Sequence, residues 1–168
     1  MRVRSFPPVA NRSSRLLILG SMPGVASLRA GEYYAHPHNA FWRIVGELFG
    51  IDPGAPYRER LAGLRSVRIA LWDVLGSCVR EGSLDADIDE STVVANPIPE
   101  LLREHPRIRT LCFNGAKAEA SFRRHVLPRL ARERARLLLH RLPSTSPANA
   151  SIPYARKLAA WRAACSTA

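Results

Sequence analysis

At 168 residues and 46% hydrophobic content, the chain is the size of one folded domain and too apolar for a disordered segment. Its 25 Lys and Arg against 14 Asp and Glu give a net charge of +11, and all but Lys117 and Lys157 of the basic residues are arginine. An excess of this size favours a polyanion as partner, although an arginine-rich, lysine-poor composition also follows from a GC-rich genome.

In chain order, Arg15 to Gly20 (RLLILG) reads as a short buried strand closed by glycine. Asn39 to Gly50 carries apolar residues at Phe41, Trp42, Ile44, Val45, Leu48 and Phe49, the spacing of one helical face, with Gly50 placed to end it. Tyr57 to Leu64 reads as a second short helix. Val67 to Leu75 (VRIALWDVL) reads as a buried strand. The polar, acidic stretch from Gly76 to Ala95 reads as loop. Pro97 to Glu104 suits a short helix with proline near its start. Arg109 to Gly115 is a third strand, and Ala116 to Arg132 a helix broken near Pro128. Ala135 to Leu142 is a fourth strand. A loop, LPSTSPANA, leads to a closing helix from Ile152 to Ala164.

Strands alternating with helices predict an α/β fold. The expected form has three layers, α/β/α, around a central, mostly parallel four-stranded sheet. No repeat or linker divides the sequence, so residues 1–168 read as a single domain. Ligands of such sheets bind at the carboxyl ends of the strands, where GSMPG, LWDVLGSC, FNG and LPSTSPAN follow the four strands. Three cysteines without a CxxC pair argue against a disulfide framework or a cysteine metal site, and neither metal nor cofactor is expected. The N-terminus has no apolar run before Leu16 and no stretch reaches membrane-spanning length. The expectation is a bacterial cytoplasmic or nucleoid protein, working as a monomer.

The densest chemical cluster is YYAHPHNAFW, Tyr33 to Trp42. Phe41 and Trp42 read as the first turn of a helix facing the core. Asn39 stands where an N-cap would stand, which accounts for it without chemistry. His36 and His38 read equally as loop or catalytic residues. Tyr33 and Tyr34, between Gly31 and Pro37, are harder to place in a core, and a loop aromatic can stack on a flat base. GSMPG, Gly20 to Gly24, is neither a dinucleotide fingerprint nor a P-loop, and reads as a tight strand exit. The hydroxyls of LPSTSPAN either contact phosphate or cap the last helix.

Together, GSMPG, YAHPHNAFW, FNG and LPSTSP, in this order, resemble the uracil-DNA glycosylase superfamily over about residues 16 to 160. The middle segment is similar to FAHPxNRFW of mismatch-specific uracil-DNA glycosylases. With LWDVL and LPSTSPA, the set looks most like the hypoxanthine-DNA (deoxyinosine) glycosylases. Two departures from the wider superfamily stand out. Met22 occupies the place of a usual Asp or Asn, and Leu142 that of a His or Asn. The resemblance implies a DNA-repair hydrolase that flips out a deaminated base and cuts its N-glycosidic bond. The base would be hypoxanthine first, with uracil or xanthine as further candidates. It implies that Asn39 orients the water through its amide oxygen, that Tyr34 stacks on the base, and that Asp73 accepts from the base edge. Asn114, Ser21 and Met22 complete the base pocket, and Ser144, Thr145, Ser146 and Pro147 contact DNA. Two alternatives stay open: a uracil-specific enzyme, and a non-catalytic DNA-binding module on the same fold.

Overall fold

A computed structural model describes residues 1–130 and 133–166. In chain order it contains β1 (Arg2–Arg4), β2 (Leu16–Gly20), α1 (Val25–Ala30), α2 (Phe41–Phe49), α3 (Tyr57–Ser66), β3 (Ile69–Asp73), β4 (Leu75–Arg80) and β5 (Ile88–Ala95). It continues through α4 (Ile98–Glu104), β6 (Thr110–Asn114), α5 (Ala116–His125), β7 (Leu138–Leu142) and α6 (Tyr154–Cys165).

The central sheet has the order β3-β2-β6-β7 and every pair in it is parallel. This is the expected α/β architecture. Three of its strands, β2, β3 and β6, read LLILG, IALWD and TLCFN, and every residue of each is buried. A parallel sheet covered on both faces needs such unbroken apolar runs, because neither face meets water. β7 closes one edge and is half solvated, with Leu138 exposed. Helix α3 packs on β3, α5 on β6 and β7, and α6 on β7 and α2. In α2, Phe41, Trp42, Ile44 and Val45 form the buried stripe, and Gly50 ends the helix at φ +73°.

The structure corrects the reading of Gly76 to Ala95 as loop. The segment forms β4 and β5, which pair antiparallel with each other and, through β4, with β1. An antiparallel sheet can leave one face wet, so acidic side chains do not prevent a strand. Cys78, Arg80 and Ile88 turn inward while Asp89, Ser91 and Val94 face solvent. A register shift between Leu75 and Val79 re-aims the strand as it leaves β3. Two boundaries also move. α5 stops at His125, ahead of Pro128, and β7 starts at Leu138 after a 3-10 turn at Glu133–Arg136. Ala131 and Arg132, at the expected end of α5, lie outside the described residues. Among the described residues no helix is long and apolar enough to cross a membrane.

Candidate functional site

The four parallel strands end at Gly20, Asp73, Asn114 and Leu142, and these ends share one cavity of about 780 Å³. That volume lies within the usual range for ligand sites. Ser21, Met22, Tyr34, Asn39, Asp73, Asn114 and the Ser144–Pro147 stretch all line it.

Gly20 and Asp73 are paired across the sheet, and the glycine is there for contact. A Cβ at Gly20 would lie 2.5 Å from Asp73 Oδ1 and 3.0 Å from the Tyr34 hydroxyl. The carboxylate and the phenol thus rest on bare backbone. Gly20→Ala is expected to lower unfolding free energy by about 1–3 kcal/mol, the usual cost of overpacking. Denaturant melts check this; an unchanged midpoint would mean that the carboxylate is free to move aside.

Asp73 is 3% exposed, and its Oδ2 accepts a hydrogen bond from Ser5 Oγ at 2.7 Å. Burial is the main cause that pushes its pKa up to about 7. The Asp85 charge adds to that, while the Ser5 hydrogen bond and Arg80 oppose it. Asp73 therefore exchanges its proton near neutrality.

The tyrosines divide their work. Tyr33 is 3% exposed and belongs to the core, against the expectation of a loop aromatic. Its hydroxyl donates to Pro7 O at 3.0 Å, and its carbonyl accepts from Trp42 Nε1 at 2.9 Å. Tyr34 adopts φ +55°, a left-handed backbone rare for a bulky residue. Its ring lies in the cavity wall and stacks on Phe41 at 4.1 Å between centroids. Burial and the nearby Asp73 charge raise the pKa of its hydroxyl, so the group stays protonated.

Asn39 lies one residue ahead of the helix N-cap, which is Ala40. Its Oδ1 accepts the Phe41 N–H at 3.0 Å, so the start of α2 fixes the side chain. One lone pair of that oxygen remains. His36 and His38 are exposed and engage each other locally, His36 Nδ1 accepting from His38 N–H at 3.1 Å.

Asn114 and Thr145 form a reciprocal pair. Asn114 Nδ2 donates to Thr145 Oγ1 and Asn114 Oδ1 accepts the Thr145 N–H, both at 2.9 Å. Thr145 is 1% exposed, and its hydroxyl and backbone N–H are both engaged by Asn114, so it anchors the loop from within. Asn114 spends its amide on that anchor. Ser144 and Ser146 are half-buried and Pro147 is exposed at the cavity margin. The loop is also cross-braced by Ser146 N–H to Ser144 Oγ and Asn149 Nδ2 to Ser144 O.

Sequence reasoning missed Asp85. It lies between β4 and β5, lines the cavity, and its Oδ1 accepts from Ser21 Oγ at 2.7 Å. Although the residue is exposed, partial desolvation of its carboxylate against the cavity wall raises its pKa, opposed by the Ser21 hydrogen bond and by Arg80 and Lys117. Buried Arg80 ties this connection to the first motif by donating to Gly82 O and to Pro23 O at 2.5 Å. The one sequence signal was an acidic run in a basic chain, and only the β4–β5 reversal brings it to Ser21.

Comparison with known proteins follows the same lines. A profile described as the uracil DNA glycosylase superfamily matches residues 7–165. A protein of Methanosarcina barkeri named hypoxanthine DNA glycosylase is 39% identical over 119 residues, 70% of this chain and 74% of that one. Its namesake from Methanosarcina acetivorans is 40% identical over 116 residues, 68% of this chain and 72% of that one. A solution NMR structure of a protein described as a candidate uracil DNA glycosylase, from Methanosarcina acetivorans, aligns with a TM-score of 0.80. It shares 36% identity and covers 97% of this chain and 96% of that one.

Proposed function

The chain belongs to the uracil DNA glycosylase superfamily, and from that premise we propose that it releases hypoxanthine from deoxyinosine in DNA. It is a DNA glycosylase, an enzyme that hydrolyses an N-glycosidic bond, and DNA is its substrate. The choice of hypoxanthine over uracil is carried by the activity named for the two Methanosarcina relatives. A cavity of about 780 Å³ leaves room for a purine.

In this reading the nucleotide leaves the stack at a cost of a few kcal/mol, less where inosine is mispaired. The base enters between Tyr34, whose far face is covered by Phe41, and Asp73. Asp73 Oδ1 accepts the ring N–H when the carboxyl is ionised. The remaining lone pair of Asn39 Oδ1 orients a water at C1′. The water oxygen bonds to C1′, the C1′–N9 pair leaves with the base, and the water protons end on the new hydroxyl and on the departing base. Positive charge builds on the sugar and negative charge on the base. Asparagine transfers no proton, so the rate enhancement comes from placement and preorganised dipoles. Met22 and Leu142 add no polar group, which concentrates the chemistry on Asn39.

The test uses duplexes with a single inosine, uracil or xanthine, incubated with the protein and then treated with alkali. Strand breaks at inosine, formed faster than at uracil, are expected. Breaks at uracil alone would replace this reading with the uracil-specific one.

A further inference from the structure

A second cavity of about 470 Å³ adjoins the base pocket, sharing Asn39, Thr145, Ser146 and Pro147 with it. The base pocket mixes both signs, Asp73 and Asp85 with Lys117 and Arg141, whereas this cleft is lined by His38, Arg43 and Lys157 and, among the described residues, by no acidic side chain.

Lys157 is the unusual member. It is one of only two lysines in the chain and is 6% exposed. Burial alone lowers its pKa, with no charged neighbour contributing. The other lysine, Lys117, is paired with Glu90. Among the described residues no carboxylate lies within salt-bridge distance of the Lys157 ammonium. Its stem is buried while the residue lines the open cleft, so the ammonium offers a charge that no protein carboxylate neutralises to an anion entering there. Arg43 is fixed beside it, its guanidinium 3.6 Å from the Tyr154 ring centre and 3.6 Å from Glu47. Two helices also begin here. α2 follows Ala40, α6 begins at Tyr154, and neither has an acidic residue in its first turn. Their unpaired N–H groups and positive dipole ends favour the same sign of ligand.

We infer that this cleft binds a phosphodiester of the DNA strand, next to the flipped nucleotide, with Lys157 as its main charge. The inference rests on the reading of the chain as a DNA enzyme. The shared wall of Asn39, Thr145 and Ser146 lets one continuous strand enter both cavities.

The experiment is fluorescence anisotropy with a labelled undamaged duplex and its inosine counterpart over a series of KCl concentrations. Lys157→Met keeps the apolar stem and removes the charge. It should weaken binding about 5- to 20-fold at low salt and reduce the slope of log affinity against log salt by about one. Its melting temperature should stay close to that of wild type, because the buried apolar stem is kept. If it fails to fold, Lys157→Gln carries the same comparison. Arg162→Gln removes the same charge from the exposed far end of α6 and should change affinity by less than about twofold. Equal affinity and slope for wild type and the Lys157 variant would overturn the inference, as would an equal loss for Arg162→Gln. A protein whose salt slope depends on Lys157 but which releases no hypoxanthine would keep this site and overturn the substrate reading.

Discussion

Asn39→Ala is expected to release hypoxanthine at least about 100-fold more slowly than wild type in single-turnover assays, the usual cost of losing one preorganised polar group at the reacting centre. The side chain sits on the cavity wall with Oδ1 fixed by the Phe41 N–H at 3.0 Å. Its orientation is therefore set before substrate arrives. The same hydrogen bond gives Asn39 a structural role, and its loss should cost about 1 kcal/mol of stability, as for a helix cap. The two roles separate on measurement. Asn39→Asp keeps the acceptor for Phe41 N–H and should melt with wild type. A capping residue alone would give an alanine enzyme that melts lower but cleaves at the full rate well below its melting temperature. That outcome would remove Asn39 from the chemistry.

Asp73→Asn is expected to stabilise the protein at pH 8 while impairing base release. In the folded chain Asp73 keeps its proton up to about pH 7, against an ordinary value of 3.8. Between those values the folded state binds more protons than the unfolded state, so stability falls as pH rises through that window. Above it the wild type carries an ionised, buried carboxylate whose cost is a few kcal/mol, given about 1.4 kcal/mol for each pH unit. Asparagine removes the charge and can still accept from Ser5 Oγ. Its unfolding free energy should vary less between pH 4 and 7 and exceed that of wild type at pH 8. Urea melts at pH 5, 6.5 and 8 check this, and parallel curves for the two proteins would contradict it. The stability held back by the native residue is consistent with a site kept for function.

The central sheet was legible because parallel strands covered on both faces are written as continuous apolar runs, as in LLILG and TLCFN. The four loops followed from the rule that ligands collect at strand ends, and the motifs named them. The second sheet was not legible. Its strands carry acidic and hydroxyl residues on a wet face, and its register shift breaks the alternation that would have marked it. Tyr33 and Tyr34 were read alike because a loop has no periodicity. Only the folded contacts separate them: Tyr33 is 3% exposed and bonded to the Pro7 carbonyl, while Tyr34 stacks on Phe41 in the cavity wall. Asp85 and the cleft around Lys157 depend on contacts between residues far apart in the chain, which no local pattern reports.

The reciprocal hydrogen bonds between Asn114 and Thr145 reach beyond the two residues they join. They clamp the loop after β7 to the end of β6 while the protein folds, so that loop's conformational entropy is spent before any DNA is met. On the proposed reading, recognition then has little slack in this loop, and more of the bending and unstacking falls to the duplex. An enzyme working in that way would sort its substrates by how readily a base pair yields. Lesions would be found by mechanical weakness first and by the shape of the base second.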